Sequence, residues 1–228
     1  MKYLNAFAAF VAVAFVAFSA FAVEIATARG PVEIAATPRR IAVYDIAALD
    51  TLERLGIHPP GIPAKLYVPE LEAVKRDAVS VGTLFEPDLE ALSALAPDLV
   101  IVGSRSAGRA EMTAKVAPTI DMTIDGNDLI GQARARLAAY GALFGKQAEA
   151  DTAIAGLDVA VQAAKAAING KGKGLIVMTN GPKVSTYGPG SRFGWLHSVL
   201  GLPPAVPTID AATHGEAVSF EFIRDANP

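Results

Sequence analysis

The sequence predicts an α/β fold: two Rossmann-like lobes of strands and helices joined by one long connector helix. Three observations carry this. Short apolar runs alternate with helical stripes between residues 40 and 123, the rhythm of right-handed βαβ units. Residues 130–168 then keep a helical period with a single break, and strand and helix patterns resume past residue 170. The expected organisation is an export signal at 1–22, a first lobe at 23–145, a connector at 146–169 and a partial second lobe at 170–228. With 228 residues, 52% apolar and 19% charged, the chain is long enough to bury a sizeable core.

The elements follow in order. Residues 1–22 read MKYLNAFAAFVAVAFVAFSAFA, with Lys2 the only charge and Ser19 the only break in the apolar run from Ala6. Ala20 and Ala22 put small residues where a signal peptidase reads, so cleavage is expected before Val23. A membrane anchor is the alternative, because the run approaches spanning length. No basic cluster follows it and Glu24 comes almost at once, which favours export with removal.

Arg40-Ile41-Ala42-Val43-Tyr44 reads as a strand entering Asp45, a helix cap. Leu49, Leu52 and Leu55 form the stripe of the helix that Gly56 ends. Val79-Ser80-Val81 is a short strand. Leu89, Leu92 and Leu95 mark a helix that Pro97 stops, and Asp98-Leu99-Val100-Ile101-Val102-Gly103 is a fully apolar strand of the kind buried in a parallel sheet. A helix near 109–116 and a strand at 119–123 complete the first lobe. Ile130, Ala133, Leu137, Tyr140 and Phe144 repeat at helical spacing, and after Gly145 so do Ile154, Leu157, Val161, Ala164 and Ile168. A glycine-rich stretch at 169–174 ends the helix. Strands at 174–178 and 183–187 follow, then a helix at 192–200.

Residues 220–228 echo residues 89–97. Both read as short amphipathic helices with a glutamate, Glu221 or Glu90, seven residues before a proline. In the first copy a buried strand starts directly after Pro97, whereas Pro228 is the last residue, so the expectation is a second lobe that breaks off before its next strand.

Several chemistries are excluded. The absence of cysteine removes thiolate zinc sites, iron–sulfur clusters, cysteine nucleophiles and an N-terminal lipid anchor. A formal charge of −3 argues against a nucleic-acid partner. The glycines at 188, 190 and 194 are one residue too widely spaced for a dinucleotide fingerprint. Ser106 lacks the glycine two residues before it that a nucleophile elbow needs. His58, His197 and His214 show no paired metal spacing.

Three polar residues stand where a cleft between lobes would use them. Arg105 lies just past the carboxyl end of the strand at 99–102, the edge at which open α/β sheets bind ligands. Arg192 follows a strand through Gly188-Pro189-Gly190 and is expected to start a helix, where a cation opposes the dipole unless an anion is shared. His214 lies in an irregular segment and is a candidate metal ligand. The plain alternatives are two surface ion pairs and a loop histidine.

Residues 79–90 (Val-Ser-Val-Gly-Thr-Leu-Phe-Glu-Pro-Asp-Leu-Glu), Ala96-Pro97-Asp98-Leu99-Val100-Ile101, and Tyr187-Gly188-Pro189-Gly190-Ser191-Arg192-Phe193-Gly194 with Val199-Leu200-Gly201 resemble the periplasmic ferric-siderophore-binding proteins of ABC importers. Within these the likeness is to the branch that takes catecholates such as petrobactin. The resemblance implies a monomeric, non-enzymatic capture protein with no intrinsic cofactor, whose two lobes enclose a shallow cleft. It implies that Arg105 and Arg192 face an anionic Fe(III) chelate and that His214 completes the iron shell. A tyrosine and a third arginine are expected beyond Pro228. Glu90 and Glu221 are expected to dock on an inner-membrane permease. Hard catechol oxygens suit Fe(III), and guanidinium forks suit the chelate's charge without competing for the metal. Haem or cobalamin capture on the same fold is the runner-up. A secreted serine hydrolase using Ser104, Ser106 and His214 is more remote. The loop at 65–68 is expected to set pocket size.

Overall fold

The computed structural model describes residues 22–35, 37–126, 128–209 and 215–228. The export-signal reading rests on residues 1–21, which lie outside the described residues, as does His214.

The chain opens with an antiparallel hairpin, β1 (Val23–Thr27) and β2 (Gly30–Ile34), that the sequence reading did not anticipate. Its signal is weak because Ile25 is the only fully buried side chain in either strand. β3 (Ile41–Val43) runs to Asp45, whose carboxylate accepts from the Ala48 N–H at 3.0 Å and caps α1 (Ile46–Arg54). Then come β4 (Gly61–Ile62), a 3₁₀ segment (Pro69–Arg76) and β5 (Val79–Ser80). α2 (Leu89–Leu95) is capped by Asp88 and leads into β6 (Leu99–Val102). The helix expected near 109–116 is a 3₁₀ segment (Ser104–Arg109) running into a short α3 (Ala110–Thr113), followed by β7 (Thr119–Asp121).

These strands form one parallel sheet in the order β5-β4-β3-β6-β7. Successive side chains alternate between its faces. Ile41, Val43, Leu99 and Ile101 pack with α1, and Ala42, Tyr44, Val100 and Val102 pack with Leu89, Leu92 and Leu95 of α2. Each fully buried aliphatic side chain there contributes about 1.5–3 kcal/mol. The chain order reverses between β3 and β6: β4 and β5 are laid down on one side of β3, β6 and β7 on the other. This switch point opens a crevice at the carboxyl edge.

α4 (Leu129–Phe144) and α5 (Gln147–Ile168) carry the two predicted stripes, and the break falls at Gly145, left-handed at φ +66°. The helices lie against one another: Arg134 Nε donates to Asp158 Oδ1 at 2.7 Å. A Cβ on Gly141 would fall 2.7 Å from Ala150 Cβ, so only glycine allows this approach. Arg136, buried on α4, donates to the carbonyls of Met122, Ala26 and Thr123, tying β1 and the exit of β7 to the helix.

Past the helices come β8 (Ile176–Asn180), β9 (Lys183–Tyr187), α6 (Trp195–Ser198), β10 (Glu216–Ala217) and α7 (Phe220–Ala226). The expected return of strand–helix rhythm needs correction here. β8 and β9 are an antiparallel hairpin, because Gly181-Pro182 is far too short for a parallel crossover, and β10 adds antiparallel to β9. The overall class remains mixed α/β.

The sequence echo has a structural counterpart. α2 and α7 are both seven residues long, capped by Asp88 and Ser219, and both end on a left-handed residue before proline, Ala96 (φ +47°) and Asn227 (φ +45°).

Candidate ligand-binding site

A cleft of about 910 Å³ opens at the switch point. Its floor is Tyr44 and Asp45 after β3 and Gly103, Ser104 and Arg105 after β6, with Leu66, Tyr67 and Val68 along one wall and Leu84 and Phe85 along another. The floor is rigid for identifiable reasons. The Tyr44 hydroxyl donates to the Val81 carbonyl at 2.7 Å, and burial, with Asp88 adding to it, pushes its phenol pKa up. Burial also raises the pKa of Asp45 despite its bond from the Ala48 N–H. A Cβ on Gly103 would lie 2.9 Å from Asp45 Cγ, so glycine is what lets the carboxylate sit between the two strand ends.

Ser104 stands at φ +50° and donates its N–H to Thr123 Oγ1 at 2.8 Å. Such a conformation costs a non-glycine residue roughly 1–3 kcal/mol and is common at binding sites. Here it delivers Arg105 to the cleft, exposed, with no hydrogen bond or ion pair among the described residues. Ser106 is fully buried, and its hydroxyl accepts from the Gly103 N–H and donates to the Gly103 carbonyl, both at 3.0 Å. It closes a turn and presents no nucleophile. The described histidines are also otherwise engaged, His58 with Glu53 and His197 with the Leu202 carbonyl.

Arg192 does not start a helix, contrary to expectation. The Gly188-Pro189-Gly190 turn continues through bonds from the Ser191 N–H to the Gly188 carbonyl and from the Gly194 N–H to the Ser191 carbonyl, so α6 begins only at Trp195. The arginine is held instead by aromatics: its guanidinium carbon lies 5.0 Å from the Phe193 ring centroid and 6.0 Å from that of Tyr187, and the two rings meet edge to face at 4.8 Å. It has no carboxylate partner among the described residues. Arg192 is not among the residues lining the cleft. It meets the first lobe at Gly126, in the loop after β7, on the same carboxyl edge. Glu90 and Glu221 are exposed in the first turns of α2 and α7.

The loop at 65–68 lines the cleft, in keeping with its expected part in setting pocket size, but sequence reasoning missed three features of the cleft's chemistry. Tyr67, at φ +65°, and Phe85 expose their rings there, and the Lys65 ammonium lies 4.7 Å from the Tyr67 ring centroid. An aromatic in a polar loop is a weak signal, and neither the dihedral nor the cation's position has one.

The profile of the periplasmic binding protein family matches residues 41–228. The chain belongs to that family. This periplasmic binding protein is 34% identical over 195 residues to the petrobactin-binding protein YclQ of Bacillus subtilis, an alignment covering 84% of this chain and 62% of that protein. It is also 34% identical over 207 residues to the ferric-anguibactin-binding protein FatB of Vibrio anguillarum, covering 87% and 64%. It thus spans a little under two thirds of the length of both. The crystal structure of YclQ superimposes with a TM-score of 0.84 at 30% identity, covering 91% of this chain and 75% of that one. The siderophore-binding protein BauB, solved with a complex of two acinetobactin molecules and ferric iron, gives 0.82 at 30%, with the same coverage. Among the described residues no helix is long and apolar enough to cross a membrane.

Proposed function

We propose that this periplasmic binding protein captures a ferric catecholate siderophore in the cleft at the carboxyl edge of its parallel sheet and hands it to an ABC permease. The observation that carries the reading is the unpaired Arg105 guanidinium in a large cleft at the topological switch point. A planar, always-charged fork with no protein partner suits the oxygens of an anionic chelate. Arg192, steadied by two rings and in contact with the first lobe, is the matching cation from the other side. The likeness to petrobactin- and ferric-anguibactin-binding proteins supports an iron chelate as cargo. His214 is proposed as an iron ligand where the chelate leaves a site open.

The remaining parts of the proposal follow. Segment 1–22 directs export and is removed, leaving a free monomer in the periplasm without enzymatic activity. The lobes are 23–145 and 170–228, joined by 146–169. Glu90 and Glu221 are rim contacts for the permease, contributing to register and on-rate more than to affinity.

The test is titration with ferric catecholates, followed by quenching of Trp195, the only tryptophan. Saturable binding is expected. Its absence for every ferric catecholate overturns the reading, and a Soret band on mixing with haemin replaces it with haem capture.

A further inference from the structure

The Lys65–Val68 wall combines two features that are each unfavourable for folding alone. Tyr67 is 57% exposed, so its ring gains little from burial. It also sits in the left-handed region, which L residues other than glycine, asparagine and aspartate seldom occupy. The strain has a clear geometric result. Leu66 is fully buried beneath the wall, and the left-handed step at Tyr67 turns the next ring out into the cleft. Lys65 places its ammonium 4.7 Å from that ring's centroid. Phe85, which also lines the cleft, is 44% exposed on a tight turn whose position Arg109 fixes by donating from Nε to the Phe85 carbonyl at 2.7 Å.

Charge in the cleft is also divided. Asp50 and Glu70 line the edge it shares with a neighbouring hollow, whereas on the floor Arg105 is exposed and Asp45 is buried and engaged as a helix cap. An anionic chelate is therefore drawn toward the arginine and away from the acidic edge, with an aromatic wall beside it.

We propose that Tyr67, with Phe85 in the same cleft and Lys65 over its ring, is the specificity-determining platform of the cleft, stacking on the aromatic rings of a catecholate chelate and offering nothing to an aliphatic one. The inference rests on the ferric-siderophore reading of the cleft. Offset stacking and cation–π attraction both require an aromatic face, which citrate lacks.

The experiment measures the affinity of the whole protein for two probes, iron(III) with 2,3-dihydroxybenzoate and iron(III) citrate, in wild type and in Tyr67→Phe, Tyr67→Ala and Tyr67→Gly. Tyr67→Phe is expected to keep catecholate affinity within about twofold. Tyr67→Ala and Tyr67→Gly are expected to lose about tenfold or more for the catecholate, with citrate nearly unchanged. Tyr67→Gly should at the same time raise the melting temperature, because glycine adopts the left-handed conformation without strain. Parallel losses for both chelates, or full catecholate affinity in Tyr67→Gly, overturn the platform. A wild-type protein that binds neither probe overturns the siderophore reading itself, and the platform with it.

Discussion

Gly126 and Arg192 touch backbone to backbone: a Cβ on Gly126 would lie 2.5 Å from Arg192 Cα. Gly126 is not at positive φ, so its role is steric and not conformational. Through this contact the β9–α6 turn rests on the carboxyl edge of the parallel sheet. Gly126→Ala must push the turn away, and Arg192 with it. The expected result is a loss of about tenfold in ferric-catecholate affinity with a small fall in melting temperature, read by Trp195 quenching and a thermal melt on the same sample. Unchanged affinity would show that Arg192 does not need this support.

Arg105→Ala should weaken ferric-catecholate binding by about tenfold or more, and Arg105→Lys should restore only part of it, because an ammonium lacks the planar fork. Glu90→Ala and Glu221→Ala should leave binding intact and lower uptake in cells. Equilibrium titration and radioiron uptake separate the two classes.

Asp121 supplies a pH signature. Burial works to raise its pKa, but the Thr123 hydroxyl and N–H and the Arg29 guanidinium outweigh it, so the carboxyl titrates below the ordinary range. A depressed folded pKa stabilises the protein above the unfolded value, and that stability is lost as pH falls through the folded one. Arg29 is half exposed and screened, so most of the effect comes from the Thr123 bonds. Asp121→Asn is expected to cost about 1–2 kcal/mol at pH 7, with the gap to wild type closing below about pH 4, by urea denaturation across pH.

Arg136 donates to three backbone carbonyls from two distant segments, Ala26 in β1 and Met122 and Thr123 at the exit of β7. Arg136→Leu leaves all three without this donor, the Met122 carbonyl in a buried place and the other two in half-buried ones. A loss of about 3 kcal/mol is expected, measured by chemical denaturation, with little change in affinity for whatever fraction remains folded.

The parts of the fold that could be read from sequence were those with a periodic or punctuating signal. Leu99 to Val102 are apolar on both faces and form β6, an interior strand of the parallel sheet. Asp45 was expected to cap a helix and does. Gly145 was expected to break the long helical stretch and sits left-handed between α4 and α5. The echo of 89–97 in 220–228 extends to helix length and to the handedness of the final residue. What escaped depends on contacts between distant segments or on single dihedrals. Nothing in the order of residues tells that Gly126 meets Arg192, that a turn would postpone the helix after residue 192 to Trp195, or that Tyr67 is forced outward by a buried leucine before it. Arg105 was legible because a strand's carboxyl end is a position sequence can locate, whereas its aromatic neighbours arrive from loops.

The matched geometry of α2 and α7 has a consequence for recognition from outside. Two helices of equal length, each with a glutamate at the second position and the same reversal before proline, would on the proposed docking role be two copies of one ligand presented on a single scaffold. A receptor with two equivalent pockets would engage them together, and the second engagement would proceed at the effective concentration set by the scaffold instead of the bulk. Each contact can then be weak enough for the emptied protein to leave, while the pair gives avidity. Losing either glutamate would therefore cost far more than half of the hold.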